Sequence, residues 1–202
     1  MKKRIIFFCV ILTLFLLYGC VQSNMSNMYK DTWTTYTLSS KTSHAFFSAS
    51  PEDSIKKICD SKWVGGHYRD ASVDEEGNLI LTLSKDDIAH WKEEITNDIK
   101  KVMESSQKDR DGGYTKINDN YHYIECKVQR EYNLAAGFEI TEAAVDCGIM
   151  QMLNGEDANC WKVDITIIDL DTGRIVSECK GFPEEKLHIG VEEWEKIINK
   201  KE

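Results

Sequence analysis

The chain is poor in proline and has no metal-binding cysteine or histidine pattern. Only two of its 202 residues are proline, and together with the many β-branched residues this argues against a globally disordered chain. The seven cysteines and five histidines form no CxxC, HxxxH or HExxH spacing, so we predict no metal and no cofactor. The histidines are scattered, at His44, His67, His90, His122 and His188. Because no Ser-His-Asp or Cys-His pair can be placed from these positions, the sequence predicts no catalytic residue.

Basic residues are outnumbered by acidic ones. The chain carries 25 lysines and arginines against 34 aspartates and glutamates, a formal net charge of −9 at pH 7. A strongly acidic surface is repelled by nucleic acid and by anionic lipid head groups, so we predict no nucleic-acid partner. A protein partner stays open, although charge alone does not select one.

The one long apolar run lies at the N-terminus. Three basic residues at positions 2–4 precede Ile5–Leu17, in which Thr13 is the only residue with a hydroxyl group. As a helix this run would be ~20 Å long, short of the ~30 Å hydrocarbon core of a bilayer. A targeting segment therefore explains the run better than a transmembrane helix does.

The end of this run resembles the lipobox of bacterial lipoproteins. Leu17, Gly19 and Cys20 supply its aliphatic residue, its small residue and its cysteine. The resemblance implies a diacylglyceryl group on the Cys20 thiol and cleavage just before it. Removal of the leader would leave 22 basic and 34 acidic residues, and two acyl chains suffice for stable anchoring. The alternative is an ordinary secretory signal in which Cys20 happens to fall near the cleavage site.

Three segments follow from this interpretation. Residues 1–19 would be a lipoprotein signal peptide. Residues 20–50, rich in Ser, Thr and Asn, would be the lipidated N-terminus and a flexible tether. Residues 51–202 would form a single domain, which the lipid anchor at Cys20 would hold at the extracytoplasmic face of a bacterial membrane.

Apolar periodicity predicts an α+β fold for residues 51–202. The predicted helices are Pro51–Ser61, Ser84–Gln107, Ile140–Leu153 and Val191–Asn199. The predicted strands are Trp63–Val73, Asn78–Leu83, Tyr121–Tyr132, Trp161–Leu170 and Arg174–Lys180. This order predicts an antiparallel sheet of two hairpins plus a central strand, with the helices packed mainly on one face.

Two polar or glycine-rich stretches could be mistaken for ligand sites. Lys108–Asn120 is rich in aspartate and asparagine, but it lacks the glycine and glutamate that a calcium loop needs at fixed positions, so we predict a plain loop. Gly65-Gly66 has no following helix N-terminus and no lysine for a phosphate loop. It predicts a bulge or a close backbone approach instead.

The register of the second hairpin bears on the cysteines. Alternation places Ile167 opposite Ser177 and Ile165 opposite Cys179, which puts Cys179 on the core face. The whole predicted core face is Val163, Ile165, Ile167, Ile175, Ser177 and Cys179. In this register Cys160 is roughly 15 Å from Cys179 along the strand, too far for a disulfide. The disulfide state of the five cysteines after Cys20 stays open, although buried free thiols are favoured; these are Cys59, Cys126, Cys147, Cys160 and Cys179.

Asp171-Thr172-Gly173 matches the tripeptide of aspartic proteases. Those enzymes need two such loops whose carboxylates share a proton, and this chain has one copy, followed by Arg174. We therefore predict a hairpin turn with Gly173 in the left-handed region. The string from Asp169 to Val176 also resembles the final hairpin of PepSY-type extracytoplasmic domains, which bind or inhibit proteases. That resemblance implies a binding module.

The sequence leads to two hypotheses for function. The first is a non-enzymatic, lipid-anchored domain that binds a protein, a peptide or another envelope component. The second is a cell-envelope hydrolase, or an inhibitor or immunity-type lipoprotein acting on one. An enzyme should show a pocket in which a nucleophile meets a carboxylate or histidine, whereas a binding module should show an exposed apolar patch beside the sheet.

Overall fold

The computed structural model describes residues 33–38, 68–108 and 112–199. Thr34–Glu202 form one compact unit. The leader, the Cys20 position, the predicted helix Pro51–Ser61 and Gly65-Gly66 lie outside the described residues, so the expectations for them stay predictions.

The first sheet has three antiparallel strands in the order β1-β3-β2. They are β1 (Thr34–Leu38), β2 (Asp70–Val73) and β3 (Leu79–Leu83). The hairpin of β2 and β3 was predicted from the sequence and is confirmed. Strand β1 lies in the segment assigned to the tether and pairs with β3. Its three threonines and Tyr36 are residue types that favour strands. That part of the predicted tether is therefore a strand.

The turn between β2 and β3 is organised by Asp74. Its Oδ1 accepts the backbone N–H groups of Asn78 at 2.7 Å and of Glu76 at 3.0 Å, and its Oδ2 accepts the Asn78 side-chain amide at 2.9 Å. The hydrogen bond from the Asn78 side chain is the main cause that lowers the pKa of Asp74. Gly77 takes a φ of 80°, which a residue with a side chain adopts at a cost.

Helix α1 (Lys85–Lys108) begins at a capping box. The Asp87 N–H donates to Ser84 Oγ at 3.1 Å, and the Ser84 N–H donates to Asp87 Oδ2 at 2.8 Å. Trp91, Ile95 and Ile99 form the buried stripe that the sequence predicted, so this helix is confirmed with its first residue shifted by one.

The second sheet has four strands in the order β4-β5-β6-β7. They are β4 (Tyr114–Ile117), β5 (Tyr123–Val128), β6 (Val163–Asp169) and β7 (Ile175–Phe182). The α+β class is confirmed, with two differences from the predicted sheet. The strands form two sheets rather than one, and β5 pairs with β6 in parallel because a helix crosses over between them. Strand β4 lies in the stretch that was predicted to be a loop, where its four residues stand between polar runs.

Helix α2 (Asn133–Leu153) is that crossover and follows a short 3-10 turn at Arg130–Tyr132. It begins seven residues earlier than predicted, and from Ala143 onward every residue is buried. Gly148 permits a close approach of Trp161, since a Cβ there would overlap the Trp161 ring. Gly155, with a φ of 102°, lies just beyond the end of the helix and suits its termination.

The hairpin of β6 and β7 has the predicted register at Ile165–Cys179 and Ile167–Ser177. Beyond Ile167 the register shifts, and Ile168 pairs with Ile175. At this irregularity the side chains of Ile175 and Val176 exchange the faces of the sheet that were predicted for them. The prediction that Ile175 faces the core is therefore wrong: its side chain is 49% exposed, and Val176 is buried instead.

The described cysteines differ in burial. Cys126, Cys147 and Cys179 are buried, Cys160 is exposed, and none of the four forms a disulfide. Burial is the main cause that raises the pKa of the Cys147 thiol, with a smaller contribution from the neighbouring Asp146. The expectation of buried thiols is therefore confirmed for Cys126, Cys147 and Cys179 and is wrong for Cys160, which lies in the loop before β6, while Cys59 lies outside the described residues.

Candidate interaction surface

A short C-terminal helix, α3 (Val191–Ile198), is attached to the sheet by a buried tryptophan. Trp194 is 1% exposed, and its Nε1 donates to Asp169 Oδ2 at 2.9 Å. Asp169 Oδ1 accepts the backbone N–H of Thr172 at 2.7 Å and its hydroxyl at 2.6 Å. Burial alone would raise the pKa of Asp169, but the hydrogen bonds from Thr172 and Trp194 outweigh it and lower that pKa.

This arrangement explains the Asp-Thr-Gly tripeptide. Its aspartate, Asp171, is exposed, and its threonine, Thr172, donates to Asp169, three residues earlier. Gly173 takes a φ of 70°, so the predicted left-handed turn residue is confirmed. The carboxylate that the motif would use for proteolysis therefore lies on the surface of a hairpin turn.

Two arginines contact α3, one at its C-terminal end and one near its middle. Arg174 Nη1 donates to the carbonyl oxygens of Ile197 at 2.9 Å and Ile198 at 3.2 Å, where the last helical carbonyls lack partners within the helix. Arg130 Nη1 donates to Glu195 Oε1 at 2.8 Å, which connects α3 to the turn before α2. The position of α3 is thus fixed by one buried and two more exposed contacts.

Two exposed apolar side chains lie close in sequence to the point where α2 touches the segment before α3. The position of a Cβ on Gly137 would be 3.3 Å from Ile189 Cδ1, so the two segments touch there. Phe138, the next residue of α2, is 79% exposed, and Val191, two residues beyond Ile189, is 47% exposed. A shallow depression of about 700 Å³ is lined by the residues from His188 to Glu193.

The charged residues nearest in sequence to Phe138 and Val191 are acidic. Glu142 lies one helical turn beyond Phe138, and Glu192 and Glu193 follow Val191; all three are exposed. The chain has no lysine or arginine from Glu131 to Trp161 or from Leu187 to Glu195. We call these apolar residues and the three carboxylates the Phe138 surface; its members are Phe138, Glu142, Ile189, Val191, Glu192 and Glu193.

A second cleft, of about 630 Å³, lies between the segment before β6 and the end of β7. Its lining residues are Asn159, Cys160, Trp161, Lys162, Asp164, Lys180, Gly181 and Glu184. Asp164 Oδ1 is occupied by the N–H of Gly181 at 2.9 Å. In the described part of the chain, the Cys160 thiol has no hydrogen bond to a histidine or a carboxylate, so the cleft shows no nucleophile beside a base.

The wall of this cleft is held by a buried amide. Gln151, 1% exposed, donates from Nε2 to the carbonyl oxygens of Tyr121 at 2.7 Å and Lys162 at 3.0 Å. Its Oε1 accepts the Lys162 N–H at 3.2 Å. Nearby, His122 Nε2 lies 2.8 Å from Glu156 Oε1, a contact between two loops. We assign this histidine a structural role.

No protein-family model, no curated protein and no solved structure matches this chain. Across residues 33–38, 68–108 and 112–199, no three His, Cys, Asp or Glu side chains are grouped so that they could hold a metal ion. None of the helices in that part of the chain combines the length and apolar content needed to cross a bilayer.

Sequence reasoning missed Phe138, Asp169 and Gln151. Phe138 was overlooked because α2 was predicted to begin at Ile140. Extending the helical period back to Asn133 would have placed Phe138 opposite the buried side of the helix. Gln151 carried no sequence signal, because its partners are 11 and 30 residues away. Asp169 has a local partner in Thr172, but its contact with Trp194, 25 residues away, could not be inferred from the sequence.

Proposed function

We propose that the chain is a lipid-anchored, extracytoplasmic binding module of a bacterial envelope. The exposed ring of Phe138 is the observation that carries the binding part of this proposal. Burying a phenylalanine side chain contributes about 1.5–3 kcal/mol, and aromatic residues dominate the energetics of protein interfaces. An exposed aromatic ring is therefore suited to contact with a partner.

The anchoring part of the proposal is supported by the lipobox resemblance alone. Lipidation at Cys20 would place the domain at the membrane surface, and its acidic charge would keep it off anionic head groups. Replacing Cys20 with Ala should release the protein from the membrane fraction or leave the leader uncleaved. Normal processing together with retention in the membrane would show that the lipoprotein interpretation is wrong.

Capture from solubilised envelopes tests the binding part. The full chain, purified in detergent, serves as bait in three forms: wild type, Phe138→Ala, and Ile175→Ala. Ile175 is the matched control, because it is also an exposed apolar residue but lies at the start of β7. We expect a protein that the wild type and Ile175→Ala retain and Phe138→Ala loses. Identical capture by all three forms would contradict a binding role for Phe138.

The hydrolase alternative has one observation in its favour, the exposed Cys160 thiol in the second cleft. A cysteine nucleophile needs an adjacent base or cation that favours the thiolate. Lys162 and Lys180 line the same cleft, so Cys160→Ser is the variant that tests this alternative. An inhibitor or immunity-type lipoprotein is a special case of the binding module.

A further inference from the structure

We propose that the Phe138 surface binds a basic segment of a partner protein. A large apolar side chain of that segment would pack against Phe138 and Val191, and its lysines or arginines would lie against Glu142, Glu192 and Glu193. This inference rests on the proposed function and names the chemistry of its partner.

The apolar and acidic groups belong to two segments that touch each other. Phe138 and Glu142 are four residues apart on α2 and both are exposed, so they point to the same side of the helix. Val191 and Glu192 begin α3, and this segment touches α2 through Ile189 and Gly137. An apolar centre flanked by charges is the usual composition of a protein interface.

The charge pattern selects the partner. No ion pair engages Glu142, Glu192 or Glu193 within the described residues. Helix α2 contains no lysine or arginine, and the cation nearest in sequence to Glu192 and Glu193 is Lys196 on α3. A basic segment would be attracted to this surface, which gives both a faster encounter and specificity. Anionic lipid would be repelled. A second copy of the chain using the same patch would bring like carboxylates together across the two-fold axis.

The surface is also held in place before binding. Trp194 is buried against the sheet, Arg174 caps one end of α3, and Glu195 pairs with Arg130. A preorganised surface loses less conformational entropy when a partner docks, which favours affinity. The partner would therefore meet a rigid platform rather than a segment that must fold on contact.

Photo-crosslinking in the intact envelope tests the inference. The full chain carries p-benzoylphenylalanine in place of Phe138, an exposed position at which the larger ring has room. A matched variant carries it in place of Ile175. We expect a protein adduct at position 138 only, with the crosslinked peptide of the partner containing several lysines or arginines beside a large apolar residue.

Charge reversal tests the electrostatic part. In the position-138 background, Glu142→Lys with Glu192→Lys should lower the adduct yield at least roughly tenfold at low salt, the loss of 1.4 kcal/mol or more. Glu75→Lys with Glu104→Lys changes the net charge equally at exposed sites elsewhere and should leave the yield unchanged. A synthetic peptide alternating lysine and leucine should compete with the adduct, and its glutamate–leucine counterpart should not.

The outcomes separate this inference from the proposed function. A protein adduct that is insensitive to charge reversal, or whose peptide is acidic, would overturn the basic partner but leave the binding module intact. Adducts only to lipid, or only to a second copy of the chain, would overturn the inference as well. The absence of any adduct at position 138 would overturn both. All variants are compared only where their thermal unfolding midpoints equal that of the wild type.

Discussion

Asp169 and Gln151 are both almost inaccessible to solvent, and each holds the chain beside one of the two surface depressions. Asp169 fixes α3 through Trp194 and so supports the Phe138 surface. Gln151 fixes Tyr121 and Lys162 and so supports the cleft beside Cys160. Asp169 is an ionised carboxylate that accepts hydrogen bonds from several donors. Gln151 is a neutral amide that satisfies two carbonyl groups and one N–H.

This difference predicts how the structure beside each depression should respond to pH and to substitution. A buried carboxylate depends on its donors for its charged form, so its support of α3 depends on pH and on each donor. A neutral amide has no titration, so its support of the cleft should be independent of pH. Substitutions at the two centres should therefore destabilise different parts of the molecule in different ways.

Removal of the Trp194 side chain should have the largest effect. Trp194→Ala deletes a fully buried ring and leaves Asp169 Oδ2 without its indole donor, so we expect a loss of about 3–5 kcal/mol in the free energy of unfolding. Trp194→Phe keeps most of the ring and should cost less, about 1–3 kcal/mol for the lost hydrogen bond. Denaturant unfolding of the full chain measures both.

Hydrogen exchange shows where the Trp194 substitution acts. The amides of α3 should exchange faster in Trp194→Ala, while the Lys162 amide, bonded to Gln151, should keep its protection unless unfolding is global. Equal loss of protection at both places at low denaturant would show that the two depressions are not supported separately. A stability change below about 1 kcal/mol would contradict the role given to Trp194.

Gln151→Leu should have the next largest effect. It leaves the Tyr121 carbonyl and the Lys162 N–H without their partner, and it leaves the Lys162 carbonyl with only a 3.3 Å contact to His122 Nδ1. Each unsatisfied buried group costs about 1–3 kcal/mol unless water reaches it. Tyr121 has a φ of 63°, a conformation unfavourable for a residue with a side chain, so loss of this bond should also release the turn.

The control for this prediction is pH. The destabilisation by Gln151→Leu should be the same at pH 5 and pH 8, because no titratable group is removed. Lys162 exchange should accelerate, and exchange in α3 should stay as in the wild type. Accelerated exchange in α3 would mean that Gln151 also supports the Phe138 surface.

Asp169→Asn should have a smaller effect that depends on pH. The folded-state pKa of Asp169 is below its ordinary value of 3.8, so its ionised form adds stability above that value. This contribution is lost as pH falls from about 3.8 through the lower folded-state pKa. The wild type should thus lose stability more steeply than Asp169→Asn in acid, and the difference between them should shrink below pH 4. Parallel acid unfolding curves would contradict this assignment.

The features that could be predicted from the sequence are those set by local patterns. The capping box of Ser84 and Asp87 joins residues three apart, and alternation alone placed Cys126 and Cys179 in the core. The register of Ile165 against Cys179 followed from the hairpin turn at Gly173. In each case the residues that determine the feature are close together in the sequence or are joined by one hairpin turn.

The features that could not be predicted depend on distant partners. The bulge that exposes Ile175 is a property of the paired strands, and alternation along one strand does not reveal it. Strand β1 needs β3, more than forty residues later, as its pairing partner. The candidate surface combines Phe138 from α2 with Val191 from α3, and the sequence alone placed neither residue beside the other.

Phe138→Ser should have the smallest effect on stability and the clearest effect on binding. The Phe138 ring is 79% exposed and removes little apolar surface from water in the folded chain, so its loss should change the free energy of unfolding by less than about 0.5 kcal/mol. Ile175→Ser should cost more, about 1 kcal/mol, because Ile175 is half-buried at the start of β7. When envelope proteins are captured, Phe138→Ser alone should lose its partner. If Phe138→Ser instead destabilised the chain by more than about 1 kcal/mol, the Phe138 ring would be stabilising the fold. The distinction between Asp169, which stabilises the fold, and Phe138, which binds a partner, would then be wrong.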